Sequence, residues 1–467
     1  MNNLVPQTPE VNTLGTNSKR WGEVHSRKIY ADEFAGGIAE EVNQKASQAE
    51  LARVEGLIAF ASAPNYYERD VAFKASGRTQ ITSPGTLWLN INNKGHKLTE
   101  AVTLDISEHS IWDFKASEWQ AGKSYSEKDY VFLGYNGFIY ECVTAGTSST
   151  LTPAFPTTVG ATYNDGTVVW KCCIDYAAAN NRAGKDFYIY AIYSPETIEP
   201  GLLISANATV PERYTAETSR KVGGFHCLCE DCGTLTNPDS AHPLSGFVKG
   251  DVIPTSVWDL KHRPISAPEG MAYVEGLDMW FSIYLLSWEG TYAAGTLKLT
   301  SKYGAEVADG ASAEKWHPLK FEQQLGMQKM RLPTWQEFQV LSLGSNQGTS
   351  IYGSADPGTT GGHKDTASRR MISNCGMEDC CGCHWQWGSD VGSASTGSSS
   401  YGNYYDTNDH DVRGQTYGAV YRPILGGGWG TAAVCGSRSS VWAYGALYLA
   451  ANCGARAASE PLARNAV

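Results

Sequence analysis

The C-terminal stretch GGGWGTAAVCGSRSSVWAYGALYLAANCGAR, residues 426–456, has a composition that decides how the rest of the chain is interpreted. It contains no Lys, Asp, Glu, Gln, His or Met, and its only charges are Arg438 and Arg456. Each of these arginines closes a G-x-R tripeptide, GSR or GAR. Glycine permits tight turns, and aromatic rings supply large contact areas. We interpret the stretch as a binding face and not as an active site.

Composition limits the class of protein. A chain of 467 residues is long enough for several domains with cores of their own, and a hydrophobic fraction of 42% fits a folded protein. The high numbers of Gly (49), Tyr (25) and Trp (14) favour strands, turns and aromatic surfaces over long helices. A net charge of −11 without a basic stripe argues against a nucleic-acid partner.

The N-terminus carries no recognisable targeting signal. MNNLVPQTPEVNTLGTNSKRW has neither an apolar core segment nor a lipobox-like cysteine. No run in the chain reaches the ~18 apolar residues that a membrane-spanning helix needs. We therefore expect a protein that is soluble, made in a cytoplasm, and not inserted into a membrane.

The twelve cysteines are clustered, and two clusters raise the question of a metal. Synthesis in a cytoplasm favours free thiols or metal-bound thiolates over disulfides. The spacings C-x-C-x-x-C and C-x4-C-C-x-C differ from the paired C-x2-C knuckles of zinc sites. Two interpretations therefore stay open for each cluster: a structural metal site, or structural cysteines that are buried or paired. The clusters are Cys227, Cys229 and Cys232, with His226 beside them, and Cys375, Cys380, Cys381 and Cys383.

A helical stretch follows the polar N-terminus and stops at Pro64. Leu51, Val54, Ile58 and Ala61 fall at the a and d spacing of a heptad. The pattern predicts either a short coiled coil that joins identical chains or an amphipathic helix that packs on its own domain. The first alternative would make residues 1–64 a segment that associates identical chains.

Strand patterns begin near residue 65. TLWLNINNKGHKLTEAVTLDI alternates apolar and polar residues around a turn at NNKG. Residues 112–173 are dense in Tyr, Trp and turn dipeptides, which predicts a small β module inserted into a β-sandwich of residues 65–111 and 174–219. Its aromatic rings could stack on sugars or simply form its core.

The region after residue 220 is predicted to contain strands and one helix. Thr334 and Glu337 form a capping box after Pro333, and Gly344 closes the helix. MAYVEGLDMWFSIYLL is a candidate for one buried strand. The loop at 389–411 is rich in Gly, Ser, Tyr and Asn, which is typical of binding loops.

Catalytic motifs are absent from the sequence. It contains no G-x-S-x-G elbow, H-E-x-x-H, P-loop or G-x-G-x-x-G following a strand. His384, in GCHWQWG, is flanked by aromatic residues, and we interpret it as a packed histidine. We expect no enzyme, no catalytic residue, no catalytic metal and no cofactor other than the structural metal left open above.

Several segments together resemble one family. In order they are SRKVGGFH (219–226), SVWDLKHRP (256–264), SIYLL (282–286), TSKYGAEVADGAS (300–312), RLPTWQEFQVLSLG (331–344), CHWQWG (383–388), LGGGWGTAAVCGSRSSVW (425–442) and GAR (454–456). This series is similar to the phage tropism determinants and related variable proteins of diversity-generating retroelements. The resemblance covers roughly residues 180–467. It implies a C-terminal C-type lectin fold of the formylglycine-generating-enzyme type.

The resemblance also implies a set of receptor-binding positions. In such proteins, adenine-directed mutagenesis varies residues in the C-terminal stretch and never produces Trp, Gln, Glu, Lys or Met at them. Aligning on the two G-x-R tripeptides places the variable positions at Gly430, Thr431, Val434, Val441, Ala443, Tyr444, Tyr448 and Ala450. Ala433, Ser440, Asn452 and Cys453 are weaker candidates, and the chain has one residue more than the family pattern between GSR and GAR. Trp429, Arg438, Trp442 and Arg456, with Gly426–Gly428, would form the fixed scaffold as turns, core aromatics and guanidinium forks on backbone carbonyls.

The sequence therefore predicts an α+β, β-rich fold with an N-terminal helical segment, a divided β-sandwich and a C-type lectin domain at 220–467. The resemblance implies a homotrimeric tail-fibre protein that binds a host cell-surface receptor, protein or glycan, and contacts other virion tail proteins. Residues 1–64 would then attach the protein to the virion and trimerise it. Lectin tripeptides that bind calcium (EPN, QPD, WND) are absent, so the resemblance does not imply calcium-mediated sugar binding. Two alternatives are a glycan-binding adhesin acting through residues 112–173 and, less well supported, an enzyme of the formylglycine-generating superfamily.

Overall fold

The computed structural model describes residues 72–92, 94–193, 200–237, 241–393, 401–403, 415–417 and 420–462. The predicted helical segment at 1–64 and most of the loop at 389–411 lie outside these residues. Across the described part of the chain, strands predominate and helices are few, as the composition predicts. None of the helices found there combines the length and apolar character needed to cross a bilayer.

The first described strands build a small sheet and a hairpin. Leu87, Leu89 and Ile91 alternate with polar residues and are buried, so the hairpin around NNKG is confirmed. Asn92 takes a positive φ of 48° at the turn, a conformation that Asn tolerates better than most residues. The sheet has the order β1-β2-β5, and β3 pairs with β4. The strands are β1 (Lys74–Ala75), β2 (Gln80–Thr82), β3 (Leu87–Ile91), β4 (Lys94–Leu98) and β5 (Thr103–Asp105).

Residues 117–174 form a five-stranded sheet of their own, in the order β11-β12-β9-β8-β6, and a short pair, β10 with β7. Trp119 and Trp170 are buried, and both indole N–H groups donate to Oδ2 of Asp165, at 2.8 and 3.1 Å. Most aromatic rings of this module therefore form its core and are not free for sugar stacking. The strands are β6 (Ser117–Glu118), β7 (Ser124–Tyr125), β8 (Tyr130–Phe132), β9 (Phe138–Thr144), β10 (Gly146–Thr147), β11 (Thr162–Asp165) and β12 (Val168–Ile174).

The chain then returns to the first module. Helix α1 (Ala179–Arg182) leads into a four-stranded sheet with the order β14-β13-β15-β16. Leu89, Ile189 and Phe225 belong to one buried core, which joins strands before and after the 117–174 module. The strands are β13 (Asp186–Tyr193), β14 (Pro200–Ser205), β15 (Ser219–His226) and β16 (Trp258–Asp259).

Two boundaries predicted from the sequence fall inside continuous structure. A boundary at residue 220 would cut β15, which pairs with β13 from Ser219 to His226. Trp112, expected to begin the inserted module, is fully buried in the core shared by Leu89 and Ile189. Domain boundaries fall where few contacts cross. Leu228 and Ile253 share a buried core with Phe338, so a boundary near 260 would also cut through packed structure. The domain division as a whole stays a prediction.

The C-terminal region contains short sheets and two longer helices, α2 (Pro318–Met327) and α3 (Trp335–Leu341). The sheets have the orders β17-β18-β28, β19-β20, β23-β24 and β22-β25-β21-β27, and β26 pairs with β25. The strands are β17 (Met271–Val274), β18 (Met279–Ser282), β19 (Ser287–Glu289), β20 (Lys298–Thr300), β21 (Trp385–Trp387), β22 (Gly392–Ser393), β23 (Tyr401–Asn403), β24 (Gln415–Tyr417), β25 (Val420–Leu425), β26 (Ser440–Gly445), β27 (Cys453–Gly454) and β28 (Ala458–Ser459).

Two local predictions in this region have different outcomes. The capping box is confirmed, because Thr334 Oγ1 accepts from the Glu337 backbone N–H and the Glu337 carboxylate accepts from the Thr334 N–H. The prediction of one strand in MAYVEGLDMWFSIYLL is wrong, because the segment is a hairpin of β17 and β18. Asp278 has a positive φ of 48° at the turn, and its carboxylate accepts from the Tyr273 hydroxyl at 2.6 Å.

Candidate functional site

The quoted stretch 426–456 folds against β25. Strand β25 pairs with β21, β22 and β26, so the segment between β25 and β26 is a surface connection anchored on a sheet. A short 3-10 turn, Ala432–Val434, lies in this connection. Strand β26 itself carries Val441, Ala443 and Tyr444, and a second connection, from β26 to β27, carries Tyr448 and Ala450.

Two glycines make the first connection sterically feasible. Gly426 and Gly427 have φ values of +88° and +94°, where side chains other than hydrogen are strained. A Cβ on Gly426 would lie 2.4 Å from the Cys380 carbonyl oxygen, and one on Gly427 would lie 2.7 Å from Cys435 Sγ. The expected role of these glycines as fixed turn residues therefore has a concrete steric basis.

The predicted variable positions all lie at the surface or at its edge, and none is buried. Gly430, Val434, Ala443 and Tyr448 are exposed, and the Val434 side chain is 62% accessible. The half-buried positions are Thr431, Val441, Tyr444 and Ala450. Their role in recognition stays a prediction.

Tyr444 and Tyr448 form the aromatic centre of this surface. Their rings stack with centroids 4.2 Å apart, although they lie on different elements, β26 and the connection that follows it. Tyr448 is 39% exposed, whereas Tyr444 packs partly against the core that contains Trp387. A stacked pair of this kind offers a rigid contact area, as aromatic anchors of binding surfaces do.

Some of the candidates also support the backbone. The Thr431 hydroxyl donates to the Gly428 carbonyl at 2.7 Å and closes the turn. Val441 and Ala450 pack against the core beneath the surface. Among the weaker candidates, Ala433 is exposed, Ser440 and Asn452 are half-buried, and Cys453 is buried, so Cys453 is unsuited to display.

Arg456 has the contacts expected of a scaffold arginine. It is fully buried, and its guanidinium donates to the backbone carbonyls of Ser282, Ile283 and Glu378. Its Nε donates to Gln386 Oε1 at 3.2 Å. A planar guanidinium can satisfy several carbonyls at once, so this one side chain ties the end of β18, the loop before β21 and β21 itself together.

The other proposed scaffold residues differ from one another. Arg438 is exposed, so it is not a buried guanidinium fork like Arg456. Trp442 is 40% exposed, and its indole N–H donates to Ser440 Oγ at 3.1 Å, so it is not a core aromatic. The reason is its place on β26, which pairs with β25 alone among the described strands and so forms an edge of the sheet and not its interior. Trp429 is half-buried with its ring edge-on to His384, 4.9 Å between centroids.

The cysteines of the two clusters are packed among apolar side chains. Cys229, Cys232, Cys380 and Cys381 belong to one hydrophobic core, whereas Cys227 belongs to another. Burial raises the pKa of Cys232 to about 12 and that of Cys380 to about 11, so these thiols stay protonated. Among the described residues, no three ligands drawn from these two clusters converge, and Cys383 alone takes part in a group of three possible ligands, with His363 and Asp379.

Sequence reasoning missed a groove of about 850 Å³ beside the GSR tripeptide. Its lining includes Arg369, Arg438, Asn237 and Asn374, which are far apart in the sequence. Arg369 donates to the Asp365 carboxylate at 2.8 Å, which holds the guanidinium at the rim. No local motif marks these residues, because only the fold brings them together.

The chain is similar in sequence to a known phage protein and to a family model. The chain is 30% identical over 303 residues to the tail fiber receptor-binding protein of Bordetella phage BPP-1, an overlap of 60% of this chain and 72% of the phage protein. The chain belongs to the phage tropism-determinant family. The family model for the Mtd second domain matches residues 143–259, which end with β16.

Solved structures of tropism determinants share the fold. The Major Tropism Determinant U1 variant is 23% identical with a TM-score of 0.55, and the match covers 84% of each chain. The I1 variant is 22% identical with a TM-score of 0.56, and the match covers 89% of this chain and 88% of the other. The β-rich architecture predicted from the sequence is therefore confirmed at the level of the fold. The relatives are named as receptor-binding proteins and not as enzymes.

Proposed function

We propose that this protein is a tail-fibre receptor-binding protein located in the virion tail, and that it binds a host cell-surface receptor. Membership in the tropism-determinant family supports this function, since the Bordetella phage relative is named for it. The observation that supports this proposal most directly is the exposure of the surface formed by residues 429–450. Every predicted variable position there is accessible, while Arg456 and the glycines beneath are fixed by buried contacts.

The display domain in this proposal is the C-type lectin domain predicted at residues 220–467. Its stability resides in buried groups such as Trp387 and Arg456, which lie outside the set of predicted variable positions. Substitutions at exposed positions away from such groups usually change the free energy of unfolding by less than about 0.5 kcal/mol. A surface of this kind can accept many side chains without loss of the fold, which is what retroelement diversification requires.

Assembly into a trimer through the segment at 1–64 would multiply a weak site. Simultaneous engagement of several copies raises apparent affinity on the order of 10²- to 10⁴-fold without new contacts. This part of the proposal rests on the heptad spacing of Leu51, Val54, Ile58 and Ala61.

The stacked tyrosines provide the test. We expect the double variant Tyr444→Ala with Tyr448→Ala to reduce attachment of the full-length protein to host cells at least tenfold. Truncating two aromatic anchors of an interface typically costs about 2 kcal/mol or more. The melting temperature should change little, because Tyr448 is exposed and Tyr444 is only partly covered. Attachment is measured by binding of labelled protein to cells.

Tyr135→Ala is the matched control, since Tyr135 is 88% exposed but lies in the 117–174 module. It should leave attachment unchanged. Loss of attachment in Tyr135→Ala with retention in the double variant would place recognition on the inserted module and contradict the proposal. A large fall in the melting temperature of the double variant would show that the two tyrosines serve the fold.

A further inference from the structure

Beneath the receptor-binding surface lies a group of three side chains with the chemistry of metal ligands. Asp309, Asp356 and His384 come from three separate segments, and one ligand atom from each lies within 4.8 Å of the others. His384 Nε2 is 3.9 Å from Asp309 Oδ2 and 3.9 Å from Asp356 Oδ1. These separations are too long for hydrogen bonds, so the three groups converge without satisfying one another.

His384 provides the main evidence for a metal site in this group. His384 is fully buried, and its Nε2 has no hydrogen-bond partner among the described residues. A buried polar atom without a partner costs about 1–3 kcal/mol, so its orientation toward two carboxylates calls for an explanation. Neutral imidazole is a common metal ligand.

The two carboxylates are held in place by the backbone. Asp309 Oδ1 accepts from the N–H groups of Ala311 and Ser312 at 2.8 and 2.7 Å, which leaves Oδ2 to face His384. Asp356 Oδ1 accepts from the Gly358 N–H at 2.9 Å. One carboxylate oxygen of each lies within 4.8 Å of the other, so a cation between the carboxylates would offset their mutual repulsion.

We propose that Asp309, Asp356 and His384 bind a first-row transition-metal dication such as Zn²⁺. An imidazole with two carboxylates suits zinc, whereas calcium and magnesium prefer oxygen ligands alone. Two ligand atoms on one tetrahedral zinc lie roughly 3.3 Å apart, so each of the two distances from His384 Nε2 to a carboxylate oxygen must shorten by about half an ångström. The Asp356 side chain is 46% exposed, which gives it freedom to move and gives the ion a path from solvent.

A neighbouring group of side chains is a weaker candidate for a metal site. His363, Asp379 and Cys383 also bring ligand atoms within 4.8 Å of one another. In that group His363 Nδ1 is already hydrogen-bonded to Asp379 Oδ2 at 2.8 Å, and the same oxygen accepts from the Gly361 N–H. A buried, directly bonded pair accounts for these residues without an ion.

The position of the site gives the ion a structural role. Next to Asp309, the Gly310 N–H donates to the Ala450 carbonyl at 3.1 Å, and the His384 ring lies against Trp429. Glu306 bridges to Thr359 and so joins the two loops that carry the aspartates. A bound cation would therefore tie both loops to the segment before β21, directly under the connections that carry the predicted variable positions.

The test uses the full-length protein after removal of metals with a chelator. Calorimetric titration with ZnCl₂ should show saturable binding, and Zn²⁺ should raise the melting temperature, because a ligand that binds only the folded state stabilises it. Asp356→Asn should weaken binding at least tenfold while it keeps an acceptor for the Gly358 N–H. Glu306→Gln is the matched control, since Glu306 is an exposed acid whose charge also acts on Asp309. It should leave binding within about twofold.

Four results would overturn the proposal. Absence of Zn²⁺ binding by the wild-type chain is one, and unchanged binding by Asp356→Asn is another. Equal losses in Asp356→Asn and Glu306→Gln would reduce the effect to general surface charge. Co²⁺ serves as a spectroscopic probe: a thiolate charge-transfer band would assign the ion to the group of Cys383 and likewise overturn the proposal. None of these measurements depends on receptor binding, so they are independent of the proposed function.

Discussion

At the residue scale, the two G-x-R arginines have the same sequence context but opposite environments. Arg456 is fully buried and bonds three backbone carbonyls, whereas Arg438 is exposed at the groove beside GSR. The repeated tripeptide predicts a shared scaffold role, and only one arginine has it. Burial is a property of the whole fold, so a local motif cannot distinguish the two positions.

This pair supplies a prediction. Arg456→Lys should lower the free energy of unfolding by at least ~3 kcal/mol, because an ammonium cannot reproduce the fork on Ser282, Ile283 and Glu378. Chemical denaturation of the purified protein measures the change. Arg438→Lys is the matched control and should fall within about 0.5 kcal/mol of wild type. Equal effects of the two substitutions would contradict the assignment of Arg456 as the structural arginine.

At the element scale, the helix α3 begins where the sequence places it. Thr334→Ala should destabilise the protein by about 1 kcal/mol, because it removes the oxygen that accepts from the Glu337 N–H. Thr334→Ser retains the oxygen and should cost little. Thermal denaturation of both variants checks this expectation, and equal melting temperatures for Ala and Ser would show that the cap contributes nothing.

Elements with local signals were predictable and those without were not. The capping box and the NNKG hairpin are marked by residues close in sequence. The turn within MAYVEGLDMWFSIYLL is not, because Asp278 adopts a left-handed conformation that its sequence neighbours do not demand. The continuity of β15 across residue 220 has no local signal either, because β15 joins the preceding sheet through pairing with β13, and that pairing spans a long sequence separation.

At the scale of the whole molecule, the exposure of the predicted variable positions agrees with expectation, whereas that of the predicted scaffold residues agrees only in part. The positions expected to vary are accessible in the structure, while Trp442, expected in the core, lies at the surface. The groove lined by Arg369 and Asn374 and the group of Asp309, Asp356 and His384 draw on segments far apart in the chain. Such sites arise only from tertiary contacts, and composition or spacing carries no trace of them.

The central claim is that residues 429–450 form a diversified, receptor-binding face. Its most direct test is to select phage carrying this protein on a host that lacks the original receptor and to sequence the protein's gene in the survivors. We expect substitutions at Gly430, Thr431, Val434, Val441, Ala443, Tyr444, Tyr448 and Ala450, arising at adenines matched by a nearby near-copy of codons 426–456. Gly426, Gly427 and Arg456 should stay unchanged. Host-range changes that map to residues 117–174, with codons 426–456 unaltered, would contradict the account.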